Sequence, residues 1–263
     1  MPATIPVVRI ITARRIITRA DREPIEHGAL RVAADGTIDA VGRAADFPFV
    51  DTDLGDVTLI PGMIDAHVHL SSDCSPAMGW LPGEEHPEAS AVLRIVANAH
   101  AFLRAGVDTI EHATFSARPR ATVDEALVAE IAAAGRYVIP TVNNYWLTVG
   151  VPWAPADLAL ANLRRLYDLG IPLVAGTDMG LNTTTPELYA EGLMVFAEIG
   201  MDPRDILASA THRAADAIGL ADQAGEITAG RTADLVGLDG DPLTDPSAYR
   251  RVRFVMRGGQ HCL

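Results

Sequence analysis

His67-Val68-His69 places two imidazoles one residue apart, where an apolar run (Leu59-Ile60) gives way to polar residues. Alternate residues of a strand project to the same face, so both rings point one way at the strand's C-terminal end. Two imidazoles held like that are ready ligands for Zn²⁺ or a similar ion. A chance H-x-H is the plain alternative. The setting favours the ligand reading, because Pro61-Gly62 precedes the pair and a Pro- and Gly-rich stretch follows it. Asp178 closes a second apolar run that starts at Pro172. A carboxylate there can ligate a metal, take a proton from metal-bound water, or cap the next helix. Glu111-His112 ends the run from Val107 in the same manner; one of the two faces inward, and His112 is the better ligand, or else a hydrogen-bonded strand-end histidine.

The remaining histidines carry plainer readings. His27 and His261 lie in β-rich ends and read as surface residues. His86 falls in the segment after the first motif, where it could line a pocket. His100 falls in a helical pattern and reads as surface or packing. His212, in Ala210-Thr211-His212-Arg213, reads as packing or capping. Asn143, Asn144 and Tyr145 follow a strand-like run and read either as substrate contacts or as a polar loop.

The elements that must position these residues follow from the hydrophobic pattern. Residues 1–58 read as short strands, Val7–Ile11, Arg15–Thr18, Ala29–Val32 and Thr37–Val41, with Asp35-Gly36 suited to a tight hairpin. From Thr58 a buried strand leads towards His67. A helical stretch over about Glu88–Arg104 follows, with Val92, Ile95, Val96, Ala99 and Leu103 on one side. Then strands and helices alternate: Val107–His112, helix Val123–Ala134, Tyr137–Val142, helix Pro155–Leu169, Pro172–Asp178, helix Pro186–Ile199 and helix Pro203–Gly219. Such alternation reads as βα units on a parallel sheet. Short strands return at Ala233–Leu238 and Arg251–Arg257. The expected domains are a composite β-rich one from 1–58 and 220–263, and a β/α one from 59–219.

Composition narrows the function. The chain has 263 residues, 49% hydrophobic content, a net charge of −13, and 21 basic residues, all of them arginine. That acidity argues against a nucleic-acid partner, whose phosphates recruit clustered basic residues. No secretory signal and no run of about 18 apolar residues is visible, so neither export nor a membrane partner is expected. Cys74 and Cys262 form no pair motif, which suits two free thiols in the cytoplasm.

Pro61-Gly62-Met63-Ile64-Asp65-Ala66-His67-Val68-His69-Leu70 resembles the opening signature of the amidohydrolase superfamily, closest to its imidazolonepropionase-related and prolidase-like branch. Ala105–His112 resembles that branch's sixth barrel strand, Ala175–Asp178 its eighth, and Ala224–Ile227 with Gly230–Val236 its return into a β-sandwich. The resemblance implies an α/β fold, a (β/α) barrel beside a small β-sandwich built from both chain ends. It also implies His67, His69 and His112 as metal ligands and Asp178 as ligand and catalytic proton shuttle.

The pattern is shortened. Roughly 155 residues separate Gly62 from Gly219, whereas eight βα units of about 30 residues need on the order of 240. Four strands are legible, matching the first, sixth, seventh and eighth, so the barrel is expected to be partial. The family's bridging carboxylated lysine is excluded because the chain has no lysine, and its fifth-strand histidine is absent. What remains is one divalent ion, zinc first, with iron, manganese or cobalt compatible with the same ligands. A half-barrel leaves two costly sheet edges, so a homodimer is expected. The implied activity is metal-dependent hydrolysis of an amide, cyclic amide or peptide C–N bond in a small-molecule or dipeptide-like substrate. The rivals are a catalytically silent binding or structural dimer and a metal-dependent deaminase. The sequence leaves the substrate open.

Overall fold

The computed structural model describes residues 9–67, 108–112, 125–143, 145–148, 155–178 and 188–263. His69, Cys74, His86, His100, Asn144 and the expected helix over Glu88–Arg104 lie outside them. The chain divides into two compact units, Met1–Ile64 with Asp202–Leu263, and Asp65–Met201. No helix among the described residues is long and apolar enough to cross a membrane.

The first unit is built on one sheet. Its strands are β1 (Arg9–Ile16), β2 (Ile25–Val32), β3 (Ile38–Arg43), β4 (Thr52–Asp53) and β5 (Thr58–Pro61), followed near the chain's end by a further three. β1 is continuous where two short strands were expected, because the ladder to β2 runs from Arg9↔Val32 to Ile16↔Ile25 and skips only Arg14, opposite His27 at φ 48°. On its other edge β1 takes β4 and then β5, both in parallel. β5 in turn pairs antiparallel with Leu235–Leu238, so strands from both chain ends share the sheet. The apolar run before the H-x-H motif thus belongs to this sheet and stops at Pro61-Gly62. There the Gly62 N–H donates to Asp234 O at 2.7 Å, and a Cβ on Gly62 would lie 3.0 Å from Asp234 Cβ.

Gly36, at φ +87°, turns the β2–β3 hairpin, and Asp35 accepts from both the N–H and the hydroxyl of Thr37. The glycine backbone lies directly against Gly258 and Gly259, at the far end of the strand order, where no Cβ could be placed. The sheet therefore curls round one apolar core, with Ile11 and Ile16 of β1, Leu30 of β2, Ile38 of β3, and Phe254 and Met256 buried together. Phe254 and Met256 alternate with exposed or half-exposed neighbours, the period-2 pattern of a half-buried strand. The helix expected over Pro203–Gly219 is two helices, Pro203–Ala210 and His212–Ala217. The break falls at Thr211 (φ −130°, ψ −107°), whose hydroxyl donates back to Leu207 O at 2.6 Å.

In the second unit β6 (Thr109–Glu111) and β7 (Tyr137–Ile139) are parallel, in register from Thr109↔Tyr137 to Glu111↔Ile139. Val138 also bridges Leu173 in parallel. The Ala66 N–H donates to Ala175 O, and the Asp178 N–H to His67 O, each at 3.0 Å. The order across the unit is therefore 109–111, 137–139, 171–178, 65–67, all running the same way. The same unit carries helices α1 (Glu125–Ala134), α3 (Ala156–Asp168) and α4 (Tyr189–Glu198), with a single turn, α2 (Tyr145–Thr148), after β7. α3 buries Ala159, Leu163 and Leu166, the i, i+4, i+7 stripe of an amphipathic helix. Arg164 fastens its C-terminal end to the end of α4 by donating to Ile199 O at 2.6 Å.

Candidate metal centre

Three of the four non-glycine residues with positive φ among the described residues are His112 (φ 62°), Thr141 (φ 54°) and Asp178 (φ 61°). Each lies at or just past the C-terminal end of one parallel segment. Left-handed backbone costs such residues on the order of 1–3 kcal/mol, and most for a β-branched threonine. Strain of that kind persists only where surrounding structure holds it, and it gathers at functional sites. The C-terminal end of a parallel sheet is also where βα scaffolds carry their chemistry.

The side chains converge at these ends. His67, His112 and Asp178 each offer a donor atom, all within 4.8 Å of one another. The two imidazoles meet edge to face, with centroids 5.0 Å apart. His67 Nδ1 is 2.8 Å from Glu111 Oε2, and its Nε2 is 3.2 Å from Asp178 Oδ1. An ionised carboxylate only accepts, so Nδ1 donates to Glu111 and the Nε2 lone pair faces the other carboxylate. Two electron-rich atoms at that distance need a positive charge between them. A proton is one solution: Asp178 first, and Glu111 second, push the His67 imidazole up to about 9 against the pull of burial. A divalent cation is the other. An ion bonded at roughly 2.0–2.2 Å spans such a donor set after small side-chain adjustments. The donors present fit a metal.

A second set of contacts holds the donors in place. Asp65 accepts from the Thr177 N–H at 3.0 Å, the Thr177 hydroxyl at 2.5 Å and the His67 N–H at 3.3 Å. Burial pushes its carboxyl pKa up, while the bonds from Thr177 and His67 pull the other way. Gly176 lets the 65–67 segment approach, since a Cβ there would lie 2.5 Å from Ile139 Cγ2 and 3.0 Å from His67 Cβ. His112 Nδ1 lies 3.0 Å from Thr141 Oγ1, and the His112 N–H donates to Ile139 O at 2.9 Å.

Of the residues singled out from sequence, His67, His112 and Asp178 come together, and His69 lies outside the described residues. Asn143 is close by, and its side-chain amide donates to Thr177 O at 3.2 Å. His27 is exposed on β2, and His261 stacks on Phe254. His212 begins the second of the two short helices in the first unit. Sequence reasoning weighed Glu111 only as a lesser ligand and missed its hold on His67. It also missed Asp65 and Thr141. Asp65 had a signal, since it precedes His67 by two and shares its strand face; Thr141 had none, because nothing in Pro140-Thr141-Val142 announces a left-handed backbone.

The family profile described as "Amidohydrolase family" matches residues 58–149 and 157–262. The chain is 30% identical over 245 residues to 5-methylthioadenosine/S-adenosylhomocysteine deaminase of Nitratidesulfovibrio vulgaris, covering 81% of this chain and 51% of that protein. It is 34% identical over 104 residues to imidazolonepropionase of Shouchella clausii, covering 38% of this chain and 23% of that one. The chain thus spans about half the length, or less, of these curated relatives. A solved Xaa-Pro dipeptidase with methionine bound in its active site superposes with a TM-score of 0.71 at 15% identity, over 97% of this chain and 100% of that one. At that identity the likeness speaks for the fold: a mixed α/β architecture of the amidohydrolase kind. With the family profile matched over well over half of its length, the chain belongs to the amidohydrolase family.

Proposed function

We propose that the chain is a metal-dependent hydrolase of amide, cyclic amide or peptide C–N bonds, with His67, His69, His112 and Asp178 holding one divalent ion, zinc first. The observation that carries this reading is the convergence of the His67, His112 and Asp178 donor atoms within 4.8 Å. A bound ion would supply Lewis-acid activation of a water and of the scissile carbonyl. Asp178 takes the proton of the attacking water and returns it to the leaving nitrogen. Glu111 keeps the proton of His67 on Nδ1, so that Nε2 stays directed at Asp178. Asp65 ties the first motif to the segment that carries Asp178, which fixes the distance between donor and proton acceptor.

The order 109–111, 137–139, 171–178, 65–67 supports reading this unit as a partial (β/α) barrel, because these segments resemble the family's sixth, seventh, eighth and first strands. The curled sheet of the first unit is the counterpart of the β-sandwich. A partial barrel would leave sheet edges that are costly to expose, and a homo-oligomer that covers them is the arrangement this reading implies. The free Cys262 suits the cytoplasm.

Metal content by plasma mass spectrometry, on the wild type and on His67→Ala/His112→Ala, tests the site. About one ion per chain, lost in the double variant, together with metal-dependent turnover of an amide panel, is the expected result. Bound metal with no turnover would favour a silent binding protein, and no metal after reconstitution would overturn the reading. A deaminase among the relatives favours one second reading. Ammonia release from cyclic amidines or nucleobases would select it. Light scattering that finds only monomer at micromolar concentration would remove the oligomer.

A further inference from the structure

We propose that Thr141 is a positioning residue that fixes the tautomer of His112, keeping the proton on Nδ1 so that Nε2 is left to hold a cation. The inference rests on the proposed metal-holding role of His112 and adds the means by which that ring is prepared.

The Thr141 hydroxyl has a single proton to give. Thr141 Oγ1 lies 2.8 Å from Pro140 O and 3.0 Å from His112 Nδ1. A carbonyl oxygen can only accept, so the contact with Pro140 uses the hydroxyl proton. The contact with His112 then has one consistent form: Nδ1–H donates and Oγ1 accepts. The opposite tautomer would leave Nδ1 and the Pro140 carbonyl competing for one proton at a buried site, where Thr141 is 5% exposed. The partner of one ring nitrogen sets which nitrogen is left to bind metal.

The backbone supports the same conclusion. Thr141 sits at φ 54°, a region that glycine or asparagine occupies with less strain than a β-branched residue. A glycine would satisfy the turn but could not hold the imidazole. The hydroxyl is what the strained position gains. His67 is treated in parallel, since Glu111 takes its Nδ1–H. The two rings are therefore oriented by different chemistry, one by a carboxylate and the other by a neutral hydroxyl, so that Thr141 adds no charge to a site already holding Glu111 and Asp178.

The test compares the wild type with Thr141→Val, which keeps the shape and branching, and with Thr141→Ser, which keeps the hydroxyl. Histidine ¹⁵N spectra of the metal-free proteins, at a pH where His112 is neutral and with the signal assigned from His112→Gln, read the tautomer directly. Zinc affinity is read separately by competition with a chromophoric chelator. The wild type should show Nδ1–H on His112; Thr141→Val should lose it and bind zinc about 10- to 100-fold more weakly; Thr141→Ser should keep both. Should Thr141→Val fail to fold, Thr141→Ala carries the same comparison. An Nδ1–H signal that survives loss of the hydroxyl overturns the proposal, as does unchanged zinc affinity in a wild type that binds zinc; either result leaves the metal site standing. If the wild type binds no zinc, the proposed site fails, and the spectra of the metal-free proteins decide the role of Thr141 alone.

Discussion

Asp65 and Thr177 are joined twice, the carboxylate accepting from the threonine N–H at 3.0 Å and from its hydroxyl at 2.5 Å. The same carboxylate accepts from the His67 N–H, so one half-buried side chain links the segment before the first ligand to the segment before Asp178. Asp65→Ala removes the acceptor of both Thr177 bonds. Each such bond is worth about 0.5–1.5 kcal/mol, and the urea midpoint should fall accordingly. Metal retention should fall with it. An unchanged midpoint would mean that water replaces the carboxylate and that the link is dispensable.

Gly176→Ala is expected to harm the site without touching a ligand. The added Cβ would meet Ile139 Cγ2 at 2.5 Å and His67 Cβ at 3.0 Å. Overpacking of that kind costs about 1–3 kcal/mol, and relief requires Ile139 or the backbone at His67 to shift. Weaker zinc binding with retained secondary structure, by chelator competition and circular dichroism, is the expected pair of results.

Asp178→Asn separates two duties of one side chain. The amide keeps an oxygen donor but accepts no proton, so turnover should fall by about 10²–10⁴-fold, the usual worth of a positioned acid–base group. Metal affinity should fall much less. Full activity in this variant would remove the proton-shuttle role.

His212 supplies a pH dependence of stability in the first unit. Burial lowers its pKa and the Arg19 charge adds to that; Arg213 acts the same way, while Asp21 and Glu226 oppose. The fold therefore favours the neutral ring, and the unfolded chain, near 6.5, binds the proton more readily. This contribution is fully present above pH 6.5 and is lost as pH falls below it. Thermal midpoints measured between about pH 5 and 8 should drop more steeply on the acid side for the wild type than for His212→Gln. Parallel curves would assign the acid sensitivity elsewhere.

Tyr249 is buried, and its hydroxyl makes no hydrogen bond among the described residues; burial raises its pKa. Tyr249→Phe removes a desolvated polar atom and keeps the ring, so stability should hold or rise by up to about 1–3 kcal/mol. A clear loss in thermal midpoint would reveal a partner for that oxygen.

The chemistry was more legible than the architecture. Strand alternation and the ends of apolar runs marked His67, His112 and Asp178 one by one, each with a plain structural alternative, and it was the resemblance of the surrounding motifs to the amidohydrolase superfamily that implied one group. Helices α1, α3 and α4 were visible from their spacing. The break at Thr211 was not, because a threonine that bonds back to Leu207 looks in sequence like any other mid-helix threonine. Nor was the allegiance of Thr58–Pro61: its pairing with Leu235–Leu238 spans most of the chain, and local pattern carries no information about so distant a partner. Asp65, Glu111 and Thr141 were hard to see for a related reason. Their value lies in which atom they touch, and only the folded chain decides that.

Two of the candidate donors are held by their own backbone. His112 is pinned by its N–H to Ile139 O, and Asp178 by its N–H to His67 O, so each is anchored before the chain moves on. Both tethers run through the backbone, so a substitution at either position strips off the donor atom and leaves the lacing of the chain in place. The two donors can therefore be removed one at a time, as separable parts, without unlacing the segments that present them.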